Sequence, residues 1–374
     1  MKIVFVNRVI GMFRGGGEIY DLNIARELSK TGHDVEFITG KPLIGECRYP
    51  VTEFKAHYCR SPYMRNLTTL IPVKGIGKVY LLDLMLFGIA AYRFIRKNAA
   101  SIDFLYVQSD PVLAHRVQRN LKIRTVVRFP GPPDKLLIRF IEKNDLVVAS
   151  GDSLPKLTEM TRKAIRDIPP GVDIDSFRKR ENDLRSKYHI GNEPVVFLFV
   201  GRLVAVKNLL FLLDAFHEAF KINNNIRLLL VGAGSDYKAL RSKVHAKQLH
   251  GKVVLAGHVD HAELPLYYSA SDVLVLPSKY ESFSIVTLEA MSCSLPVIAS
   301  NRGYLPHLIE DGANGLLVDP EDPSSLVNAL LELADNPERR LAMGQKNRAI
   351  VASKYTWCSR ADQYENLFRI TKSG

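Results

Sequence analysis

The chain opens with two short apolar runs separated by a Gly-rich loop and one helical period. That order restricts the possible folds more than any single residue does. Lys2–Asn7 has strand-like composition, and Arg8 to Gly17 is a loop ending Arg14-Gly15-Gly16-Gly17. From Glu18 to Lys30 apolar residues recur at Ile19, Leu22, Ala25 and Leu28, a helical period that Gly32 ends. Asp34–Thr39 reads as the next strand. A β-loop-α-β opening begins a doubly wound α/β fold, with a parallel sheet covered by helices on both faces. A helix is expected over 76–97, and strands recur at Ile102–Val107, Arg124–Phe129 and Asp145–Ala149. Residues 40–75, rich in Pro, Tyr, Arg and Lys, read as irregular.

The pattern then restarts. Pro169-Pro170-Gly171-Val172-Asp173 is a turn, and residues 175–193 are charged and carry the turn signal Gly191-Asn192. A chain of 374 residues expects two domains, here 1–180 and 181–354. The second opens on the apolar run Val195–Val200, the loop Gly201–Asn208 and a helix over Leu209–Phe220. Ile226–Val231 follows and ends in the tight turn Gly232-Ala233-Gly234. Val253–Leu255, Asp272–Pro277 and Pro296–Ala299 read as further strands. The end is helical, over 322–334, 336–353 and 357–371, with Tyr355 and Trp357 starting the final helix.

The 51 Lys and Arg exceed the 39 Asp and Glu by 12, and residues 1–180 hold 30 of the basic and 18 of the acidic ones. The remainder is balanced, 21 against 21, so the excess lies in the first half. Such a basic face suits an anionic membrane surface or a pyrophosphate-bearing acceptor. No Lys/Arg run or aromatic platform points to nucleic acid. Cys47, Cys59, Cys293 and Cys358 fit no paired or zinc-binding spacing and read as reduced thiols of a cytoplasmic protein. The N-terminal apolar run is too short for a signal peptide. Val79 to Tyr92 is nearly all apolar, but a bilayer span needs about 20 residues. It reads as a buried helix, or as an interfacial one ending in Arg93, Arg96 and Lys97.

The chemistry concentrates in Glu281-Ser282-Phe283-Ser284-Ile285-Val286-Thr287-Leu288-Glu289. A helix starting near Ser284 would aim its first amides back toward Glu281, and free N–H groups at a helix start suit a phosphate. Glu289 would lie two turns further on. Arg202 and Lys207, five positions apart on one loop, can reach a diphosphate from two sides, Arg as a fork and Lys as a point charge. The three adjacent glycines at 15–17 do not form Gly-x-Gly-x-x-Gly. They read as a flexible loop whose amides approach a phosphate or an acceptor, or as a purely conformational device.

The stretch 281–289 resembles the Glu-x7-Glu motif of retaining glycosyltransferases of the GT-B fold, family 4. Gly201-Arg202-Leu203-Val204-Ala205-Val206-Lys207-Asn208 resembles that family's Gly-Arg-Leu-x-x-x-Lys-Gly loop, with Asn208 in place of Gly. The resemblance covers nearly all of the second domain and the first more loosely. It implies two Rossmann-like domains facing across a cleft, with a last helix (355–374) crossing back to the first. It implies metal-independent transfer of a hexose, with retention, from a UDP- or GDP-linked sugar to a glycan or lipid-linked acceptor. No further cofactor is implied, and the protein could be peripheral on the cytoplasmic face of a membrane. Glu281, Arg202 and Lys207 would be catalytic. Gly16, Gly17, Gly232, His258, Val259, Ser282, Phe283, Ser284, Ile285, Val286 and Glu289 would bind the donor, with Glu281 on the sugar and Glu289 on the ribose.

The sequence departs from the family at several points. Ser284 replaces a usual Gly and would serve instead as a helix cap. Ser294 and Tyr304 stand where glycines are common, and His307 where Glu is. In the first domain, Arg128 occupies the region where many members carry a His, and Gln108 ends the preceding strand where His is frequent. Arg128 therefore joins the catalytic candidates. It binds an anionic acceptor or the donor sugar, or it pairs with a carboxylate. No general base is identifiable. A GT-B-type sugar-nucleotide epimerase and a nicotinamide-dependent oxidoreductase are the competing functions. The first lacks visible acid and base groups, and the second lacks its glycine fingerprint.

Overall fold

Val195–Val200 is buried at all six positions. A strand can hide both faces only inside a sheet with cover on each side, as parallel sheets have. The computed structural model describes residues 1–12, 15–42, 46–60, 76–131 and 134–370. The chain divides into two units, Met1–Pro170 with the C-terminal Trp357–Gly374, and Gly171–Thr356.

The first unit holds strands β1 (Lys2–Asn7), β2 (Asp34–Lys41), β3 (Lys55–Arg60), β4 (Phe104–Gln108), β5 (Arg124–Phe129), β6 (Leu146–Ala149) and β7 (Ile165–Asp167). They form one parallel sheet in the order β3-β2-β1-β4-β5-β6-β7. Alternate residues of β1 serve opposite cores. Ile3 and Phe5 join Tyr20, Ile24 and Leu28 of the helix Gly16–Lys30, while Val4 and Val6 join Phe87 and Ile95 of the helix Ile76–Lys97. The last helix, Trp357–Ile370, belongs to this unit: Trp357 meets Tyr20 edge-on, and Tyr364 and Phe368 are buried beside β4.

The second unit holds β8 (Val195–Val200), β9 (Ile226–Val231), β10 (Val253–Gly257), β11 (Val273–Leu276), β12 (Val297–Ser300) and β13 (Gly315–Val318). They are again parallel, in the order β10-β9-β8-β11-β12-β13. Strand order reverses between β1 and β4 in one unit and between β8 and β11 in the other. Open α/β sheets bind ligands at such a reversal, beyond the carboxyl ends of the strands.

Three expectations need correction. The division falls at Pro170–Gly171 rather than 180–181. Val172 already donates its N–H to the Tyr355 carbonyl at 2.8 Å, and the Phe177 carbonyl accepts from Ser292 Oγ at 2.6 Å, both within the second unit. Tyr355 lies outside the final helix, which starts at Trp357: it ends the preceding helix, Pro337–Lys354, with its N–H on the Val351 carbonyl at 2.9 Å. Part of the stretch read as irregular is β3. It is an edge strand with no fully buried residue, so it shows no apolar run. Glu36 anchors it through Lys55 Nζ at 2.8 Å and His57 Nε2 at 3.0 Å, with Lys2 Nζ at 2.9 Å on the same carboxylate. Burial opposes ionisation of Glu36, but these bonds outweigh it and bring its pKa down to about 2.

Candidate functional site

The loops after β8 and β9 are locked together before any side chain is considered. Leu203 N–H donates to the Ala233 carbonyl at 2.9 Å, and Asp236 N–H to the Leu203 carbonyl at 2.9 Å. The two backbones run so close that a Cβ on Gly232 would lie 1.8 Å from the Gly201 carbonyl oxygen, and one on Gly234 would lie 2.1 Å from that of Leu203. Gly232, a donor-binding candidate, thus holds this crossing, and its φ of +142° adds a second reason for glycine.

The loop after β8 then turns through a short 3-10 stretch, Ala205–Lys207, into Asn208 at φ +58°. Asn208 Nδ2 ties it to the Pro320 carbonyl at 2.9 Å. Lys279 N–H donates to the Val206 carbonyl at 2.8 Å, which joins this loop to the one after β11. Lys207, half-buried, places its ammonium on Glu281 Oε1. Ser278 Oγ donates to the same oxygen at 2.9 Å. The Glu281 carbonyl accepts from Tyr304 N–H at 2.9 Å, and a Cβ on Gly303 would come within 2.2 Å of that carbonyl oxygen. The backbone and the side chain of Glu281 are therefore fixed by loops from three strands, at the reversal between β8 and β11.

The helix Ile285–Ser292 begins four residues after Glu281. Ser284 precedes it at φ +84°, ψ +82°, with no side-chain hydrogen bond to the helix amides. The expected cap is absent: Ser284 Oγ instead accepts from Thr287 Oγ1 at 2.8 Å. What survives of the family's glycine is the backbone conformation. Asn208, Ser284 and Ser294 all replace glycine, and all three keep a positive φ. Such a φ costs a non-glycine residue roughly 1–2 kcal/mol.

Glu289 is buried at 3% exposure, with Oε2 accepting from Tyr268 O–H at 2.8 Å and Oε1 2.7 Å from His261 Nε2. Burial, then the Glu289 charge, push the Tyr268 hydroxyl well above its ordinary pKa, so it stays a donor. His261, with half of its side chain exposed, and the buried Tyr268 are not among the sequence candidates. Their separations of 28 and 21 residues from Glu289 carry no motif that a linear reading could use. His258 is exposed, Val259 half-buried, Ser282 exposed, and Phe283 buried and stacked on Tyr304 at 5.0 Å. Ile285 and Val286 form the first turn of the helix. Arg202 is exposed; its carbonyl accepts from Val204 N–H at 3.1 Å, and its side chain makes no hydrogen bond or ion pair among the described residues.

In the first unit the choice left open for Arg128 falls to the carboxylate. Arg128 is 3% exposed; Nη1 donates to Asp21 Oδ1 at 3.0 Å and to the Gly17 carbonyl at 3.2 Å, and its guanidinium lies 3.6 Å from the Tyr20 ring centroid. Tyr106 O–H and Asn7 Nδ2 complete the shell of Asp21 at 2.7 and 2.8 Å. This cation is thus partnered in the interior of its own unit. Gly16 and Gly17 start the helix Gly16–Lys30, and a Cβ on Gly17 would lie 3.0 Å from Gln108 Nε2 and 3.3 Å from Pro130. Arg14 lies outside the described residues. Among the described residues no group of three or more His, Cys, Asp or Glu could hold a metal.

Residues 180–350, all within the second unit, match the family model described as Glycosyl transferases group 1. The chain is a group 1 glycosyltransferase of the GT-B fold. It is 28% identical to D-inositol 3-phosphate glycosyltransferase of Corynebacterium jeikeium (strain K411), over 95% of this chain and 91% of that enzyme. It is 30% identical to Alpha-D-kanosaminyltransferase of Streptomyces kanamyceticus over 53% of this chain, a match spanning only half of that relative's length. In fold it matches sucrose-phosphate synthase from Thermosynechococcus elongatus with a TM-score of 0.82 at 21% identity, covering 100% of this chain and 99% of that one. Anabaena HepE in complex with UDP matches with a TM-score of 0.79 at 18% identity, over 99% and 100% of the two chains.

Proposed function

We propose that this glycosyltransferase moves a hexose, with retention and without a metal, from a UDP- or GDP-linked sugar to a glycan or lipid-linked acceptor. The observation that carries the proposal is the Lys207–Glu281 pair at the strand reversal of the second unit, four residues ahead of the helix Ile285–Ser292.

A sugar diphosphate leaves as a diphosphate, so catalysis must stabilise charge growing on the leaving group. Lys207 and Arg202 are the cations for that charge, and the free amides at Ile285 and Val286 add the positive end of the helix dipole. Glu281 holds Lys207 in place and, with an acceptor oxygen not bonded to it, can receive a sugar hydroxyl. Glu289 has its two oxygens oriented by Tyr268 and His261, and each oxygen can accept one more hydrogen bond, as a ribose diol requires. Retention rests on the likeness of Glu281 and Glu289 to the Glu-x7-Glu motif. The UDP complex of HepE supports a nucleoside diphosphate donor for a chain of this fold.

The test is a panel of nucleotide sugars, with release of UDP, GDP or ADP measured with and without membrane extract and with a metal chelator. Acceptor-dependent release that survives the chelator, giving a product with the donor's anomeric configuration, is the expected result. Interconversion of the nucleotide sugar with no release would replace the proposal with an epimerase. A thermal shift with NAD alone would replace it with an oxidoreductase.

A further inference from the structure

The helix Ile76–Lys97 of the first unit has an outward stripe whose chemistry changes along its length. Leu82, Met85, Leu86 and Ile89 are exposed at 55, 62, 45 and 39%. Their spacing puts them on one helical face, and the exposed Arg93, Arg96 and Lys97 continue it. The opposite face, with Leu84, Phe87, Ala91 and Ile95, is buried. Burial of one face accounts for the helix but leaves the stripe unexplained.

The stripe does not stand alone. Met85 and Ile89 share a groove of about 440 Å³ with Leu113, Leu136 and Phe140. Leu136 is itself 64% exposed. Arg116 and Arg139, both exposed, line the same groove. A contiguous apolar patch of this kind, rimmed by charge, marks an interaction surface.

Charge selects the occupant. The exposed charged residues named at the patch, Arg93, Arg96, Lys97, Arg116 and Arg139, are all basic, and the acid that lines the groove, Asp110, is buried, so a symmetric contact between two copies would oppose like charges. No helix among the described residues is long and apolar enough to cross a membrane. An apolar stripe continued by Lys and Arg is the composition of a helix lying in a lipid interface. We infer that this face docks the protein on an anionic lipid surface. Leu82, Met85, Leu86, Ile89 and Leu136 enter the boundary between headgroups and acyl chains, while Arg93, Arg96 and Lys97 meet the phosphates. The inference rests on the first unit alone and stands or falls independently of the donor chemistry.

The full chain is sedimented with vesicles of phosphatidylcholine, and of phosphatidylcholine mixed with phosphatidylglycerol, at low and high salt. Binding to the anionic vesicles that salt weakens is expected. The double variant Met85→Gln, Ile89→Gln loses about tenfold or more in partitioning, since each buried apolar side chain is worth more than about 1.4 kcal/mol. The triple variant Arg93→Gln, Arg96→Gln, Lys97→Gln loses about fivefold per charge on anionic vesicles only, because each cation near such a surface contributes about 1 kcal/mol. All five positions are exposed, so circular dichroism and melting temperature stay at the wild-type values. The inference is overturned if the wild-type chain binds neither vesicle, or if the double variant binds anionic vesicles as the wild type does. A concentration-dependent dimer that the double variant abolishes would also overturn it, by assigning the face to a second copy.

Discussion

Each unit carries a cation paired with a carboxylate near the carboxyl ends of its strands, and the two pairs have opposite characters. The side chains of Arg128 and Asp21 are 4% and 0% exposed, and their partners, Tyr20, Tyr106, Asn7 and the Gly17 carbonyl, all belong to the first unit. Lys207 and Glu281 sit on loops beyond β8 and β11, their side chains 16% and 11% exposed. A closed shell spends the charge on packing, whereas a pair within reach of solvent can exchange a partner for a ligand. The same residue types therefore do different work, and burial decides which.

The sharpest break of this comparison is Arg128→Met. It leaves Asp21 buried without its cation and should lower unfolding stability by about 3–5 kcal/mol, read from the urea midpoint. Lys207→Ala should behave otherwise. Transfer slows by roughly ten- to hundredfold, corresponding to the loss of about 1.5–3 kcal/mol from one charged hydrogen bond, while the urea midpoint moves little. A Lys207→Ala enzyme with full rate and a lowered midpoint would make the second pair structural as well.

A carboxylate whose nearby cation, Arg8, does not offset its burial extends the contrast. Asp110 is buried, accepts from Leu113 N–H at 3.0 Å, and burial pushes it from the usual 3.8 up to about 6. Because the folded-state value is the higher one, the folded chain holds this proton more tightly. The stability it contributes is complete below about pH 4 and is lost as pH rises through 6. Asp110→Asn should flatten the fall in stability across that window, where the group alone gives a slope of at most about 1.4 kcal/mol per pH unit. Thermal melts between the two pH limits check it. The smallest effect is expected at Ser284→Gly, which should relieve about 1 kcal/mol at the positive φ and leave the rate near wild type.

Much of the fold was legible because parallel strands hidden on both faces must be apolar throughout. Val195–Val200 and Ile226–Val231 announced themselves that way, and the helix over Ile76–Lys97 was found at its observed bounds. β3 was not legible, since an edge strand held by Glu36, Lys55 and His57 has no such signature. Glu281 and Lys207 were found through short motifs whose residues share one loop each. Tyr268 and His261 were missed as partners of Glu289 because each reaches it from a different segment.

The sequence alone determined the alternation of strands and helices, the two-unit organisation, and the candidacy of Lys207, Glu281 and Glu289. Those are properties of neighbours along the chain, where periodicity and turn chemistry act. Tertiary structure alone decided that Lys207 meets Glu281 across 74 residues, that Arg128 turns inward to Asp21, and that Ser284 keeps a glycine's backbone. A charged side chain has the same formula inside or outside. Its solvation and its partner are set by the elements that the sheet brings beside it.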